Sequence, residues 1–313
     1  RKVLSVREFL SNSLTQIIKG FDNMDITFVA QSLLNGVLMG GVYALVAVGL
    51  TLVFGVLKII NFAHGAFMML GMYFTYFMVS HLHIDPYLSI LGVFPMLFLI
   101  GVVIEKLLIE RILDAPEHNQ LFLTLGIMLF LQNLAIFLWS PDFRVMQSAY
   151  NDINYFIGDI TISLPKLLAF GIAILFVILI FILLRKTDLG RAIRAASEDK
   201  VGSTLMGINV KKIYWITFGL GTACAGVAGT AVTPFFPIYP YVGDIFLLTA
   251  YVVVVLGGLG SVVGALIGGI IIGVADSLGA IFLPGSMKQV ISFSLFILVL
   301  LVRPTGLFGR KNA

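Results

Sequence analysis

Three polar residues interrupt one of the most apolar stretches of the chain. The segment LKIINFAHGAFMML covers residues 57–70 and contains Lys58, Asn61 and His64. Unpaired polar groups in an apolar setting are costly, and they persist where they face protein, a cavity or water. Asn61, His64 and the adjacent Gly65 are therefore candidates for lining a path through the molecule. The same pattern also allows a local role, in which Asn61 caps a helix and His64 bonds a backbone carbonyl.

The sequence has no catalytic or strong metal-binding pattern. Its histidines are scattered, and neither a Ser/His/Asp order nor an HExxH motif accompanies them. His81 and His83 share the segment SHLHID with Asp85, but a solvated loop is the stronger interpretation. No nucleotide-binding motif is present. We predict that the chain is not an enzyme and holds no metal or cofactor, so any ATP must be used by another chain.

A second unusual segment is rich in glycine. VVLGGLGSVVGALIGG covers residues 254–269 and holds Gly257, Gly258, Gly260 and Ser261. It is not a phosphate-binding loop, because no Lys-Ser/Thr pair follows and its setting is apolar. Glycine here allows close helix approach or an unwound turn. We predict that these residues also border the substrate pathway, with tight helix packing as the alternative.

The composition places both segments in a membrane. Hydrophobic residues make up 59% of the 313 residues and charged residues 12%, whereas an ordinary soluble domain has about a quarter charged. The 32 glycines are typical of packed membrane helices. The longest polar stretches, 1–27, 140–164 and 185–212, are too short for a soluble domain. We predict one all-α, polytopic membrane domain over residues 1–313.

Apolar runs of about 20 residues predict the spanning helices. Six such runs lie at 28–50, 86–104, 121–139, 165–184, 213–234 and 286–302. Two longer runs, 51–80 and 246–277, are interrupted at 58–65 and at the glycines of 257–264. We predict about eight transmembrane segments, with each broken run entering and leaving on one side as two short passes. The broken runs match in placement as VFGVLKIINFAHGAFMMLGMY and VVLGGLGSVVGALIGGIIIGV, which predicts two pseudo-repeated halves, as in transporters.

Loop charges predict the orientation. Seven of the 20 Lys and Arg residues fall in 185–212 and only Arg144 in 140–164, so we place the first loop in the cytoplasm and the second outside. This clustering favours an orientation signal over binding to nucleic acid. Basic residues near both termini predict that both are cytoplasmic, and helix 28–50 would then run outward. Residues 1–27 are predicted to lie in the interface as an amphipathic helix.

The 185–212 loop contains a predicted short helix that ends at Gly207. The apolar side of this helix is formed by Leu189, Ile193, Ala196 and Leu205. Its charged face carries Arg191, Arg194, Glu198, Asp199 and Lys200. Such a helix suits docking to a soluble partner, and an ordinary solvated loop is the alternative.

Five collinear stretches resemble the permease subunits of bacterial ABC importers for branched-chain amino acids. They are LNGVLMGGVYALVAVGLTLVFGVLKIINFAHGAFMMLGMY (34–73), LGIMLFLQN (125–133), GRAIRAASEDKVGSTLMGIN (190–209), VVLGGLGSVVGALIGG (254–269) and RPTGLFGR (303–310). Together they cover almost the whole chain. The pair INFAHG and RAASED…LMGIN is highly specific to this family.

The resemblance implies a function and a set of partners. Family members import branched-chain amino acids across the bacterial inner membrane by alternating access, as multi-pass proteins. Each pairs with a second, related permease, two cytoplasmic ATPases supply the energy, and a periplasmic binding protein delivers the substrate. The stretch 190–209 matches the family's cytoplasmic loop, which would transmit ATPase closure to the membrane. This assigns ATPase coupling to Gly190, Arg191, Arg194, Glu198, Asp199 and Gly207.

Two departures from the family leave the substrate open. Ala66 stands where members often carry Glu, and Thr249 lies near a place where many carry Lys. Each change removes a charge near the proposed path, which suits a less polar substrate unless the binding protein alone sets specificity. Relatives import leucine, isoleucine and valine, whereas others take urea, short amides or other amino acids. A homodimer in place of the heterodimer also stays open, as does an ATP-independent secondary transporter or channel.

Overall fold

The computed structural model describes residues 26–282, 288–303 and 305–309. The predicted interfacial helix 1–27 lies almost entirely outside these residues and stays a prediction. Within the described part, the α-helices are α1 (Ile26–Leu57), α2 (His64–Leu82), α3 (Ile90–Ile104), α4 (Glu117–Trp139), α5 (Leu164–Lys186), α6 (Asp188–Glu198), α7 (Lys200–Leu205), α8 (Val210–Val232), α9 (Val242–Gly257), α10 (Val262–Phe282) and α11 (Lys288–Val302). A π turn (Glu105–Ile109) and a 3-10 turn (Glu110–Ile112) extend α3.

The all-α polytopic class is confirmed. Six helices are long and apolar enough to cross a membrane: α1, α3 with its extension, α4, α5, α8 and α10. The shorter apolar helices α9 and α11 bring the number to eight, as predicted, and the less apolar α2 also runs through the bundle. Helices satisfy their backbone polar groups internally, which is what a bilayer demands of a spanning segment. The chain is an integral membrane protein.

A small β-hairpin interrupts the 140–164 loop. Strands β1 (Asn154–Ile157) and β2 (Ile160–Ser163) pair antiparallel, with Asn154 opposite Ser163. Gln31 of α1 is tied to Thr161 of β2 in both directions, because its amide nitrogen donates to the Thr161 carbonyl and its amide oxygen accepts from the Thr161 N–H, at 2.8 and 2.7 Å. The beginning of α1 therefore lies at the same end of the bundle as this loop. We call it the outer end.

The opposite end, which we call the inner end, carries α6, α7 and the ends of α1 and α3. Lys200 of α7 bonds Asp114, in the turn between α3 and α4, at 2.9 Å. Thr124 in the first part of α4 donates to the Ile60 carbonyl, just after α1, at 3.1 Å. Helix α1 therefore runs from the outer to the inner end, opposite to the predicted direction of 28–50.

The first broken run is not the pair of short passes that we predicted. No proline or other breaker separates 28–50 from 51–57, so α1 continues unbroken over Ile26–Leu57. The chain leaves the helix only at Lys58, whose φ is 56°. Residues 51–57 are thus the last turns of one long crossing, and α2 returns to the outer end.

The second broken run does make two passes, as predicted. Helices α9 and α10 are antiparallel neighbours, since Gly257 backs onto Gly264 and Gly268 lies beside the Val253 carbonyl. The turn between them, 258–261, lies at the inner end, where Gly260 approaches Gly55 of α1.

Helices α1 and α8 form the centre of the bundle. The most apolar stretch of α1 is 83% buried inside the chain and that of α8 is 89% buried. The corresponding stretches of α3 and α4 are each 28% buried. Small residues permit this packing, because without large side chains the helix backbones touch. Gly49 of α1 and Gly221 of α8 illustrate it: a Cβ at either position would lie 2.7–2.8 Å from the carbonyl oxygen of the other.

The packing relates two triplets of helices. Helix α1 packs closely on α10, and α8 packs in the same manner on α3. The first turns of α2 and α9 also meet reciprocally, at Gly65 and Gly243. These contacts relate α1–α2–α3 to α8–α9–α10. In this repeat, the interruption 58–63 before α2 corresponds to the loop 233–241 before α9. The predicted match of the first broken run to the glycine-rich run at 254–269 is therefore wrong.

Candidate functional site at the two helix interruptions

The first interruption, residues 58–63, is closed by its own polar side chain. Asn61 is fully buried, and its side-chain oxygen accepts a hydrogen bond from the Ala63 N–H at 3.1 Å. The Asn61 carbonyl accepts from the N–H of His64, the first residue of α2, at 3.3 Å. Asparagine thus holds the turn that leads into α2, two residues before the N-cap position of that helix.

His64 ties this turn to the centre of the bundle. Its ring is fully buried, and Nε2 lies 3.0 Å from the carbonyl oxygen of Val46 in α1. A hydrogen bond at this distance assigns the proton to Nε2. The local role that the sequence allowed for His64 is therefore present, whereas Asn61 closes the turn before α2 and does not cap the helix. Contact of either side chain with a substrate stays a prediction.

Four buried polar atoms on and around this interruption have no hydrogen-bond partner among the described residues. They are Thr51 Oγ1, Asn61 Nδ2, His64 Nδ1 and the Tyr251 hydroxyl. The ring of Phe62 lies 5.7 Å from the Tyr251 ring, centroid to centroid, which connects the interruption to α9. Buried polar groups of this kind are normally satisfied by protein or water.

Gly65 serves helix packing. A Cβ there would lie 2.5 Å from the Gly243 carbonyl oxygen, and a Cβ at Gly243 would lie 2.0 Å from the Gly65 carbonyl oxygen. The first turns of α2 and α9 are thus in backbone contact. Any side chain at either position would push the two helices apart.

The second interruption is closed by the C-terminal tail. The N–H groups of Leu307 and Phe308 donate to the carbonyls of Leu256 and Gly257 at 2.8 and 3.0 Å, which satisfies the end of α9. Gly258 has a φ of 98°, and a Cβ there would lie 2.4 Å from the Gly309 nitrogen. Buried Gly258 therefore makes room for the segment TGLFG, whereas buried Gly257 makes room for Gly264 of α10.

The other two residues of this turn that we predicted to border the substrate pathway lie nearer the surface of the chain. Gly260 is exposed, whereas Ser261 is partly buried, and the Ser261 hydroxyl oxygen accepts from the Gly264 N–H at 3.0 Å. That bond caps α10. Of the predicted pathway residues, the structure brings Gly65 against α9 and Gly260 beside α1, and it buries Asn61, His64, Gly257 and Gly258 inside the chain.

Helix α6 in the predicted coupling loop is anchored to the end of α5. The Thr187 hydroxyl accepts from the Gly190 N–H at 3.0 Å, and a Cβ at Gly190 would lie 2.3 Å from the Leu183 carbonyl oxygen. Arg194 donates to the Leu184 carbonyl, and Arg191 pairs with Asp188. These contacts attach α6 firmly to a membrane helix.

The loop contains two helices where we predicted one. Asp199 ends α6 and caps α7 by accepting from the Val201 N–H at 2.9 Å, and exposed Glu198 is the last residue of α6. Gly207, with a φ of 82°, follows α7 in the left-handed region. Leu189, Ile193 and Ala196 face the bundle as predicted, but Leu205 does not, because the break at Asp199 turns α7 away from it.

Leu205 instead belongs to an exposed apolar tip formed by Val201, Leu205 and Met206. Leu205 is 82% exposed, and the other two are similarly open. The spacing of Val201 and Leu205, four residues apart, was the signal available in the sequence. Lys200 joins this tip to Asp114, and that hydrogen bond raises the pKa of Lys200.

The outer loops are joined to one another. Arg144 and Ile238 exchange two backbone hydrogen bonds at 2.9 and 2.8 Å, which links 140–164 to 233–241. The Tyr150 hydroxyl donates to Asp85 at 2.5 Å, and this bond raises the pKa of Tyr150. Asp85 is thus engaged in the loop. Among the described residues, no group of three or more His, Cys, Asp and Glu could hold a metal ion.

Comparison with known proteins identifies the family. Residues 32–300 match the model for "Branched-chain amino acid transport system / permease component". This chain belongs to that permease family. The high-affinity branched-chain amino acid permease LivH of Salmonella typhimurium is 34% identical over 91% of this chain and 97% of its own length. BraD of Pseudomonas aeruginosa, which carries the same description, is 32% identical over 90% and 96%.

The predicted family is thus confirmed, and the match extends to a sugar permease. The ribose import permease RbsC of Haemophilus influenzae is 28% identical over 99% of this chain and 96% of its own length. No solved structure is a significant match.

The permease has one site residue that the sequence reasoning missed. Asp244, in the first turn of α9, accepts a hydrogen bond from the Gln132 side-chain nitrogen of α4 at 2.7 Å. It follows Gly243 as Ala66 follows Gly65, so it stands at the repeat-related position of Ala66. The signal was an acidic residue within an apolar run.

Proposed function

We propose that the chain is the membrane-embedded permease subunit of an ATP-driven importer of branched-chain amino acids in a bacterial inner membrane. The observation that carries the proposal is the match to LivH, which extends over nearly the full length of both chains. Two cytoplasmic ATPases, a periplasmic binding protein and a second, related permease complete the importer. The inner end then faces the cytoplasm, and so does the C-terminal tail, which closes α9 at that end.

Coupling to the ATPases takes place at the apolar tip. Exposed Val201, Leu205 and Met206 offer hydrophobic area to a soluble partner, and burial of such area stabilises association. Because α6 is bonded to the end of α5, displacement of the tip moves a membrane helix. Lys200 with Asp114 and Lys211 with Glu110 extend this connection to α3 and α8, at 2.9 and 2.6 Å.

Docking of the binding protein takes place at the outer end. The bonded loops 140–164 and 233–241 form one surface there, with exposed aromatic residues Phe143, Phe156 and Tyr241. Aromatic side chains are common anchors in protein interfaces. Alternating access then moves the solute along a path between this chain and the second permease.

Reconstitution with the co-encoded partners tests the proposal. We expect radiolabelled leucine, isoleucine and valine to enter proteoliposomes only when ATP, the ATPases and the binding protein are present. Urea and acetamide test the alternative cargoes. Entry of solute without ATP would contradict the ATP-driven mechanism. Preferential uptake of urea or acetamide would show that branched-chain amino acids are not the substrate class. The composition of the purified complex distinguishes a second permease from a second copy.

A matched pair of substitutions tests the coupling site. Leu205→Glu places a charge in the apolar tip, whereas Leu82→Glu changes an exposed leucine at the outer end. We expect Leu205→Glu to lose co-purifying ATPase and ATP-driven uptake, and Leu82→Glu to keep the ATPases bound. Retention of the ATPases by Leu205→Glu would place the docking site elsewhere.

A further inference from the structure

Asp244 is an acidic side chain at membrane depth. Its partner Gln132 precedes the last residue of α4, Trp139, by seven residues. At about 1.5 Å per residue, this puts the contact about 10 Å inside the outer end of α4. The carboxylate is only partly buried, so it opens onto a surface of the bundle. A charged group at such a depth faces water or a partner charge, not acyl chains.

No cation of the described residues neutralises Asp244. The ion pairs in the described part join Arg191 to Asp188, Lys200 to Asp114 and Lys211 to Glu110. Arg144 of the outer loop donates to the Trp139 carbonyl and lies over the rings of Tyr76 and Phe77. The amide of Gln132 fixes one carboxylate oxygen and supplies no charge.

An exposed stripe of α9 begins beside Asp244 and leads towards the inner end. It consists of Ile245 and Leu248, both exposed, while the opposite face of α9 is buried against α2, α1 and α10. Tyr251 lies further along the same side, and its hydroxyl has no partner among the described residues. This side of α9 thus places one carboxylate, Asp244, next to an apolar surface that lies nearer the inner end.

We infer that Asp244, held in place by Gln132, binds the ammonium group of the transported solute. The inference rests on the proposed function and adds a recognition point to it. A carboxylate accepts strong, charge-assisted hydrogen bonds from an ammonium group. The apolar surface at Leu248, one turn below, accommodates a branched aliphatic side chain. The two features together fit an aliphatic α-amino acid, and they disfavour an uncharged solute such as urea.

A protection experiment tests this recognition without relying on transport. Cys224, the only cysteine of the chain, is replaced by alanine, and Leu248→Cys is introduced as the reporter thiol. The purified complex with its partner chains, without the binding protein, is treated with a thiol reagent in sodium buffer. 3-Methylbutylamine and 3-methylbutanoate serve as probes, since they share an apolar skeleton and differ in the sign of the charge.

We expect the amine to slow labelling about fivefold or more, and the carboxylate to leave it within about twofold. Asp244→Asn should abolish protection by the amine, while Asp152→Asn, a change at an exposed loop carboxylate, should retain it. Equal protection by both probes, protection that survives in Asp244→Asn, or a reporter thiol that does not react at all in the complex would each overturn the inference.

The outcomes separate this inference from the proposed function. Amine protection that depends on Asp244, in a complex that fails to import branched-chain amino acids, would leave the cation site standing and defeat the importer assignment. ATP-driven leucine uptake without such protection would do the reverse.

Discussion

The two helix interruptions solve the same problem with different groups. Both leave helix ends whose backbone groups need partners inside a membrane protein. At residues 58–63 the partners are local, because Asn61 holds the turn and His64 fastens it to Val46 of α1. At residues 258–261 the partner is distant in sequence, because the tail around Leu307 closes the end of α9.

This difference explains the residue types. The first interruption needs side chains that accept and donate, and Asn61 and His64 supply them. The second receives a backbone segment, so it needs a glycine, Gly258, that leaves space for it. A polar interruption and a glycine interruption therefore share a function in the fold, although their sequences have little in common.

The largest effect is expected where the first interruption meets α9. Gly65→Ala places a Cβ 2.5 Å from the Gly243 carbonyl oxygen and forces two packed helices apart. We expect a loss of about 3 kcal/mol of stability, seen as a lower apparent melting temperature in detergent. Gly126→Ala is the control, since a Cβ there meets nothing within 4 Å. Equal melting temperatures for the two variants would contradict the backbone contact.

A smaller effect is expected at the glycine turn. Gly258→Ala combines a left-handed φ with a clash against the Gly309 nitrogen, and should cost about 2 kcal/mol. It should also release the tail, which limited chymotrypsin digestion after exposed Phe308 would reveal. Gly158→Ala has a left-handed φ of 61° without a neighbour within 4 Å, so it measures backbone strain alone. Unchanged protection of the tail in Gly258→Ala would show that the tail does not depend on this glycine.

The smallest effects compare the side-chain hydrogen bonds of Asn61 and Ser261. Asn61→Ala removes a fully buried acceptor and leaves the Ala63 N–H unpaired, at a cost of about 1–2 kcal/mol. Ser261→Ala removes the cap of α10 at a partly exposed site, where water can replace the hydroxyl, and should cost about 0.5–1 kcal/mol. Thermal unfolding of both variants ranks them. A larger loss of stability for Ser261→Ala would contradict the expected ranking of the two hydrogen bonds.

The positions of both helix interruptions were predicted correctly from the sequence. The helices and segments that each interruption contacts were not predicted. Lys58, Asn61 and the glycines at 257–260 mark where helices end, since these effects are local. The predicted direction of the first helix was wrong, because the prediction ended that helix at residue 50, where no residue breaks it. Leu205 was misplaced for a related reason: Asp199 caps a new helix, and a single helical period no longer applies across it.

Composition, apolar runs and specific motifs determined the membrane class, the all-α fold and the family from the sequence alone. These properties depend on residues near one another in the chain or on the total of them. Only the tertiary structure decided that the C-terminal tail closes α9, that Gly65 meets Gly243, and that Gln132 holds Asp244. Each of these contacts joins residues that are distant in the sequence and belong to separate segments of the fold, and no local sequence pattern determines which distant group a residue will contact.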